Sequence, residues 1–453
     1  MTDRLVVVGG DAGGMSAAAA ARRRRDRDAL EIVAFERTGT TSFSACGIPY
    51  LVGGVVRDAD TLIARTVEEH REHGIDVRVR HEVTAIDIDA RTVTASDLDA
   101  GGAAVTLDYD HLVIATGAIP KRPDLPGTDA AGVFGVQHLD DGLAIQRFIE
   151  AEDPRTAVVV GAGYIGIEMA EAFLSRGMQV TMVDHSPHPM PTLDPDMGAL
   201  VADAIHRIGV DLRLECSATG LGVADGRVRA VQVGDESISA DLVVFGLGVR
   251  PNKDLAERAG IAIGETGGIH IDDHARTSAA GVYAAGDCVE TYHRVSRQPV
   301  AIALGTHANK QGRVAGVNIT GGDAVFPGVI GTAVAKVCEL EVGRTGLTEK
   351  MSADAGFEAR GIRFDGTNRA GYFPGVEDVR VKLVVEEKTR RLLGAQVVGR
   401  EGAAKRVDVF AVCIWNEMTV DEVMELDLGY APPFAPLWDP VVAAARVAVA
   451  QMT

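Results

Sequence analysis

The stretch Val158–Glu171, VVVGAGYIGIEMAE, places Gly161, Gly163 and Gly166 in G-x-G-x-x-G register between a valine run and an apolar helical pattern. The valine run reads as a buried strand, and the segment from Tyr164 to about Arg176 as a helix. Each glycine has a physical reason. The first permits the tight turn, the second lets backbone approach a pyrophosphate, and the third lets helix and strand pack closely. The helix N-terminus then faces negative phosphates. The next strand, Val180–Val183, ends at Asp184, 18 residues beyond Gly166, where a carboxylate would bond ribose hydroxyls. That acid favours NADH over NADPH. His185 and His188 weaken the preference, because a histidine can sit beside a 2′-phosphate. Tyr164, Ile165 and Glu168 complete this candidate site.

About 150 residues upstream the same βαβ pattern occurs, the only internal repeat the sequence reveals. Strand Leu5–Val8 leads into the glycine turn Gly9–Gly14, an alanine-rich helix to about Arg25, and strand Ile32–Phe35. Gly9 and Gly14 match the outer glycines, but Asp11 stands where the middle one belongs. Glu36 follows Gly14 by 22 residues, as a ribose ligand should. Gly9, Ala12, Gly14, Glu36 and Arg37 are the candidate cofactor residues here. Taken alone, this imperfect turn leaves a nucleotide site and a merely structural glycine turn equally open.

The 453 residues predict two to four domains. Hydrophobic content of 46% and charged content of 24% read as a globular protein. The balance of 45 basic against 64 acidic residues, net −19, argues against nucleic acid and anionic membranes as partners. No apolar run reaches the roughly 18 residues of a membrane span. Met1 runs almost directly into the strand-like LVVVGG, so no signal peptide is read and a cytoplasmic location is expected. The five cysteines, Cys46, Cys216, Cys288, Cys338 and Cys413, form no C-x-x-C or C-x-x-x-x-C pair. An odd count argues against a disulfide framework and leaves room for one reactive thiol. No metal site is expected.

Further along, a helix is expected at 66–73 and strands at Asp76–Arg80, Thr84–Asp87, Thr92–Thr94 and His111–Ala115. From about Phe326 the pattern changes. Strands are predicted at Val379–Val385 and Leu392–Val398 and a helix at 404–418, followed by the proline-broken YAPPFAPLWDP (430–440) and an alanine-rich packing or interface helix.

Three further motifs follow the first turn in a fixed order: ATGAIP (Ala115–Pro120), GLGVRPN (Gly246–Asn252) and YAAGD ending at Asp287. With it they make the whole chain resemble the flavoproteins with two dinucleotide-binding domains. The resemblance implies an α/β fold: two Rossmann-like domains, for FAD and NAD(P)H, plus a C-terminal α+β dimerisation domain. It assigns residues 1–112 and 245–325 to the FAD domain, 113–244 to the NAD(P)H domain and 326–453 to dimerisation. In that family the aspartate matching Asp287 bonds the ribityl and pyrophosphate region of FAD. Thr116, Gly117 and Gly248 fall in the linking motifs.

FERTGTTSFSACGIPY (Phe35–Tyr50) holds Cys46 alone; Thr41 and Leu51 occupy the positions five before and five after. This S-F-x-x-C-G-x-P-Y pattern resembles the single-cysteine branch containing coenzyme A-disulfide reductase, NADH oxidase and NADH peroxidase. The resemblance places Cys46 at a helix start against the flavin, cycling as thiolate and mixed disulfide or as thiolate and sulfenate. A helix N-terminus is expected to lower its pKa, and Gly47 to allow close backbone approach to the flavin. The peroxidases, and many of the oxidases, carry a histidine where this chain has Ala12, which counts against peroxide and oxygen chemistry. Arg22, Arg23, Arg24, Arg25 and Arg27 repel at helical spacing unless an anion is near, and relatives set basic residues of this helix against coenzyme A. Arg22, Ser42 and Asn309 are therefore the candidate substrate contacts. YAPPFAPLWDP resembles a segment whose tyrosine enters the other subunit's site, which implies catalytic roles for Tyr430 and, secondarily, Tyr372 in a homodimer.

Two departures bear on the substrate. Ala45 replaces an asparagine frequent in coenzyme A-disulfide reductases. No rhodanese-like domain follows residue 453, so a persulfide-handling fusion enzyme is not expected, while a free-standing persulfide reductase stays open. The expectation is an FAD-dependent NAD(P)H:disulfide reductase acting through Cys46 on coenzyme A disulfide or a related disulfide or persulfide. The alternatives are an NADH oxidase and a flavoprotein whose redox state controls partner binding.

Overall fold

The computed structural model describes residues 2–452. The valine-rich runs of both repeats form the centres of two parallel sheets, as continuous apolar strands buried on both faces should. The first sheet has the order 282–284, 111–114, 3–8, 30–35, 76–78; the second has 211–213, 179–183, 156–160, 242–245, 133–135. The registers correspond: Val8 pairs with Phe35 and Ile114, and Val160 with Val183 and Phe245. Each unit also carries a three-stranded antiparallel meander, 81–87/92–97/103–108 in one and 218–224/227–233/236–239 in the other. The sequence reading missed strand Ala103–Asp108, where glycines and alanines blur the alternation.

Chain crossings between the two sheets run through the linking motifs. Ala118–Pro120 pairs antiparallel with Val249–Pro251. Beside that ribbon, Thr116 Oγ1 donates to the Asn252 carbonyl at 2.6 Å and Asn252 Nδ2 donates to the Thr116 carbonyl at 3.2 Å. The two crossings are thus stitched into one two-stranded neck.

The C-terminal unit is an antiparallel sheet of order 333–337, 340–346, 392–399, 378–386, 359–367, covered by helices Ala403–Trp415 and Pro440–Gln451. It is tied to the second parallel unit through Lys382. This buried ammonium meets Asp196 at 2.6 Å, Glu349 at 2.5 Å and Asp194 at 3.5 Å. A buried ion cluster of this kind contributes little net stability, but removing one member leaves a desolvated charge, so it fixes the relative placement of the units. Among the described residues no helix is long and apolar enough to cross a membrane.

The first helix ends at Arg22, three residues before the expected end. Arg24, Arg25 and Arg27 therefore lie in a turn, off the helical spacing, and within the run Arg27 repels Arg22. Each has its own partner. Arg25 pairs with Asp3 at 2.6 Å, Arg24 donates to Thr320, and Arg27 donates to the Glu72 carbonyl.

Candidate functional site

The two glycine turns fold alike, residue for residue. Gly9 (φ +108) and Gly161 (φ +112) adopt a backbone that L side chains rarely reach. A Cβ on Gly14 or Gly166 would collide with the carbonyl of Gly9 or Gly161, which is the close helix–strand approach the sequence predicts. The acids also correspond. Glu36 accepts from Gly10 N at 2.9 Å and Thr38 N at 2.8 Å; Asp184 accepts from Ala162 N at 2.6 Å and Ser186 N at 2.7 Å. Each carboxylate clamps its own glycine turn, a structural role that the sequence reading did not foresee. Helix Tyr164–Ser175 starts with no side-chain cap, so its first-turn N–H groups are free to face an anion; at the start of helix Ala12–Arg22 the Asp11 carboxyl lies against the Ala12 N–H. The space in front of Gly163 is open. These features fit nucleotide pyrophosphates.

The turns differ at their centre. Asp11 replaces the middle glycine, and its carboxyl is pushed up to about 6, first by burial and then by Glu36 and Asp287. Asp287, behind strand Val282–Ala284, is likewise pushed up to about 6 by burial.

Cys46 sits in a one-turn 3-10 segment, Ala45–Gly47, that leads into the short helix Ile48–Val52. The segment is anchored on two sides. Ser42 N donates to the Gly10 carbonyl at 3.1 Å, and Ser44 N and Ala64 N bond Leu62 O and Ser42 O at 2.8 Å each. This brings the cysteine loop beside the first glycine turn. Glu168, on the second unit's helix, faces the same cleft, because its charge and that of Asp287 both act on Cys46. Burial, with a smaller contribution from Glu171, pushes Glu168 up to about 7. The cleft thus lies between the two nucleotide units.

One expectation for Cys46 is corrected. Its thiol is raised rather than lowered, by crowding around the sulfur and then by Glu168 and Asp287; a helix of five residues offers too little dipole to offset two carboxylates. A Cβ on Gly47 would meet the end of the Leu62 side chain, which packs against it within the protein. Cys46 is nonetheless the exposed cysteine. Cys288, Cys338 and Cys413 are buried and pushed up by burial to about 11, 12 and 11, and Cys216 is half-buried.

The remaining candidates are scattered. Gly117 and Gly248 have positive φ and open space before them. Tyr164 lies 3.4 Å from the Thr192 hydroxyl, and Ile165 is next to it on the same helix. Arg37 is exposed, 3.9 Å from Glu82 and 3.4 Å from the His138 ring. Arg22 is turned inward: its guanidinium donates to the Leu30 carbonyl at 2.7 Å and the Arg25 carbonyl at 3.1 Å. Asn309 is exposed and accepts from Ser16 Oγ at 2.6 Å. Tyr372 and Tyr430 lie close together on the surface of the C-terminal unit, near enough that Tyr430 raises the Tyr372 hydroxyl. They share an exposed apolar strip with Phe434, Leu437 and Trp438.

Comparison with known proteins places this geometry. The model of the pyridine nucleotide-disulphide oxidoreductases matches residues 3–312, and that of their dimerisation domain matches residues 332–440. An NAD(P)H sulfur oxidoreductase (CoA-dependent) of Pyrococcus furiosus is 38% identical over 427 residues, covering 93% of this chain and 94% of its own. An NADH oxidase of Methanocaldococcus jannaschii is 34% identical over 453 residues, covering 99% of each. The crystal structure of reduced Bacillus anthracis CoADR-RHD superposes with a TM-score of 0.96 at 34% identity, over all of this chain and 81% of that one.

Proposed function

The chain belongs to the pyridine nucleotide-disulphide oxidoreductases, and on that premise we propose that it reduces coenzyme A disulfide, or a closely related disulfide or persulfide, through Cys46. It is an FAD-dependent NAD(P)H oxidoreductase with a dimerisation domain. The observation that carries the reading is one exposed cysteine within electrostatic reach of Asp287 and Glu168, with the other four withdrawn.

The residues that would hold FAD are Gly9, Ala12, Gly14, Glu36, Arg37, Ser42, Thr116, Gly117, Gly248 and Asp287. NADH or NADPH would lie on Gly161, Gly163, Tyr164, Ile165, Gly166, Glu168 and Asp184. The flavin supplies two-electron transfer between nicotinamide and sulfur. The chain's own contribution is nucleophilic. The Cys46 thiolate attacks one sulfur of the disulfide, the S–S bond breaks, and the second half departs as a thiolate. That leaving group takes a proton from the partner subunit's Tyr430, with the partner subunit's Tyr372 beside it. Cys46 is left in a mixed disulfide, which two electrons from NAD(P)H cleave to a second thiolate and free Cys46. Because burial and two carboxylates disfavour the thiolate, turnover rises with pH until Cys46 ionises. Ser42 and Asn309 remain available to a substrate; Arg22 can contribute only by releasing its two carbonyls.

Anaerobic turnover with coenzyme A disulfide tests the reading. It is expected in the wild type and lost in Cys46→Ser. The second reading, an NADH oxidase, shares its name with the M. jannaschii relative. Oxygen consumption undiminished in Cys46→Ser, with no disulfide turnover by the wild type, would establish it instead.

A further inference from the structure

We propose that Gln396 of the C-terminal sheet is a positioning residue for the coenzyme: through the loop 188–194 it holds the Ala162–Gly163 peptide of the second glycine turn in place for a pyrophosphate. The inference rests on the reading that NAD(P)H lies on that turn. It goes beyond that reading, because Gln396 belongs to the dimerisation unit. Two polar side chains interrupt the buried stretches 381–385 and 392–399 of the C-terminal sheet, Lys382 and Gln396, and they pair directly across the ladder. A buried amide is costly unless its groups are bonded. Gln396, at 1% exposure, spends both on one residue of the NAD(P)H unit. Its Oε1 accepts from Asp194 N at 2.7 Å, and its Nε2 donates to Asp194 Oδ2 at 2.6 Å.

Asp194 ends a loop whose other contacts lie on the glycine turn. Met190 N donates to the Ala162 carbonyl at 2.8 Å, Leu193 N donates to the Met190 carbonyl at 2.9 Å, and Thr192 Oγ1 lies 3.4 Å from the Tyr164 hydroxyl. Met190 has a left-handed backbone (φ +53), which a methionine keeps only where its surroundings impose it. Met190 and Leu193 are buried in one core with Val337, Val342 and Val398 of the C-terminal unit. The loop is thus fixed to the turn at one end and to the C-terminal sheet at the other. Ala162 lies between Gly161 and Gly163. Asp184 holds its N–H and Met190 holds its carbonyl. A trans peptide is planar, so its C=O and the following N–H point opposite ways. The Met190 bond therefore sets the direction of the Gly163 N–H, away from the loop, where the second glycine lets a pyrophosphate approach. Freeing the loop at Asp194 lets that N–H tilt.

The test is calorimetric titration of the oxidised, FAD-loaded protein with NAD+ and with NADP+, paired with amide hydrogen exchange over 188–194. Gln396→Met keeps the length of the side chain and removes both hydrogen-bonding groups. It is expected to weaken binding of the coenzyme that the wild type takes by about twofold to thirtyfold, and to speed exchange at Met190. Unchanged affinity in that variant would overturn the proposal: a role in packing alone lowers the thermal midpoint and leaves affinity in place. The wild type supplies a reading that needs no variant. Its Met190 N–H is expected to be protected from exchange before coenzyme is added, and rapid exchange there would also overturn the proposal. Gly163→Val separates the inference from the reading beneath it. Its side chain enters open space before the turn, so it is expected to block coenzyme binding whatever Gln396 does. Retained binding in Gly163→Val would overturn the placement of NAD(P)H on this turn, and the inference with it. Lost binding there beside unchanged binding in Gln396→Met would overturn the inference alone.

Discussion

The two glycine turns share backbone, register and an acid clamp, and they differ at one central residue. Gly163 leaves open space at the helix start; Asp11 places a buried carboxyl there. The shared parts are those the polypeptide needs in order to close a strand–turn–helix unit. The position that is free to vary is the one where a ligand would approach. The dinucleotide fingerprint therefore records folding constraints at its first and third glycines and ligand access at its second.

Four experiments would break or sharpen that contrast. The largest effect is expected from the third glycines. Gly14→Ala drives a methyl into the Gly9 carbonyl within the first unit and should leave purified protein with little or no flavin. Gly166→Ala does the same to the inserted unit, so it should retain flavin, accept electrons from dithionite and lose reduction by NAD(P)H. Equal flavin loss in both would mean that the units do not fold separately.

Next are the clamping acids. Glu36→Ala and Asp184→Ala each remove a carboxylate that accepts two backbone N–H bonds, at an expected cost of about 2–4 kcal/mol in denaturant unfolding. A change in coenzyme affinity with no change in unfolding would show that Asp184 is a ribose ligand only.

Asp11→Asn should act more mildly and with pH. The folded pKa of Asp11 lies above its ordinary value, so the native state holds the proton more tightly, and the wild type loses stability as pH rises from about 4 to about 6. The asparagine variant should escape that loss. It should be more stable than wild type by about 3 kcal/mol above pH 6, with the difference shrinking toward pH 4. A gap that stays constant with pH would show that the carboxyl titrates normally.

The smallest effect is expected from Glu168→Gln. It removes a charge that is present above about pH 7 and that opposes the Cys46 thiolate. The alkylation midpoint of Cys46 should fall by about half a pH unit. A rise would mean that Glu168 serves the sulfur as a base.

The outline was legible in the sequence because its signals are local. Valine runs, glycine spacing and acids at strand ends are properties of short segments, and they sufficed for the centres of both parallel sheets and for strands of the C-terminal unit; Cys46 was singled out by the resemblance of its motif. Resemblance supplied FAD, since Asp11 spoils the first fingerprint. Readings failed where a residue's meaning depends on partners distant in the chain. The arginine run looked like a repulsive helical face, but the helix stops at Arg22, and Asp3, Thr320 and the Glu72 carbonyl absorb the charges beyond it. Gln396 gave no signal, because a lone glutamine in a buried strand matters only once the fold sets it against Asp194.

The sequence by itself determined the main element types and the repeat, since hydrophobic period and turn chemistry act over a few residues, while the family resemblance pointed to Cys46. The tertiary structure alone decided the electrostatics of that cysteine. Its pKa depends on Glu168 and Asp287, more than 100 residues away along the chain. Burial and charge are properties of the assembled cleft, and no local pattern encodes them.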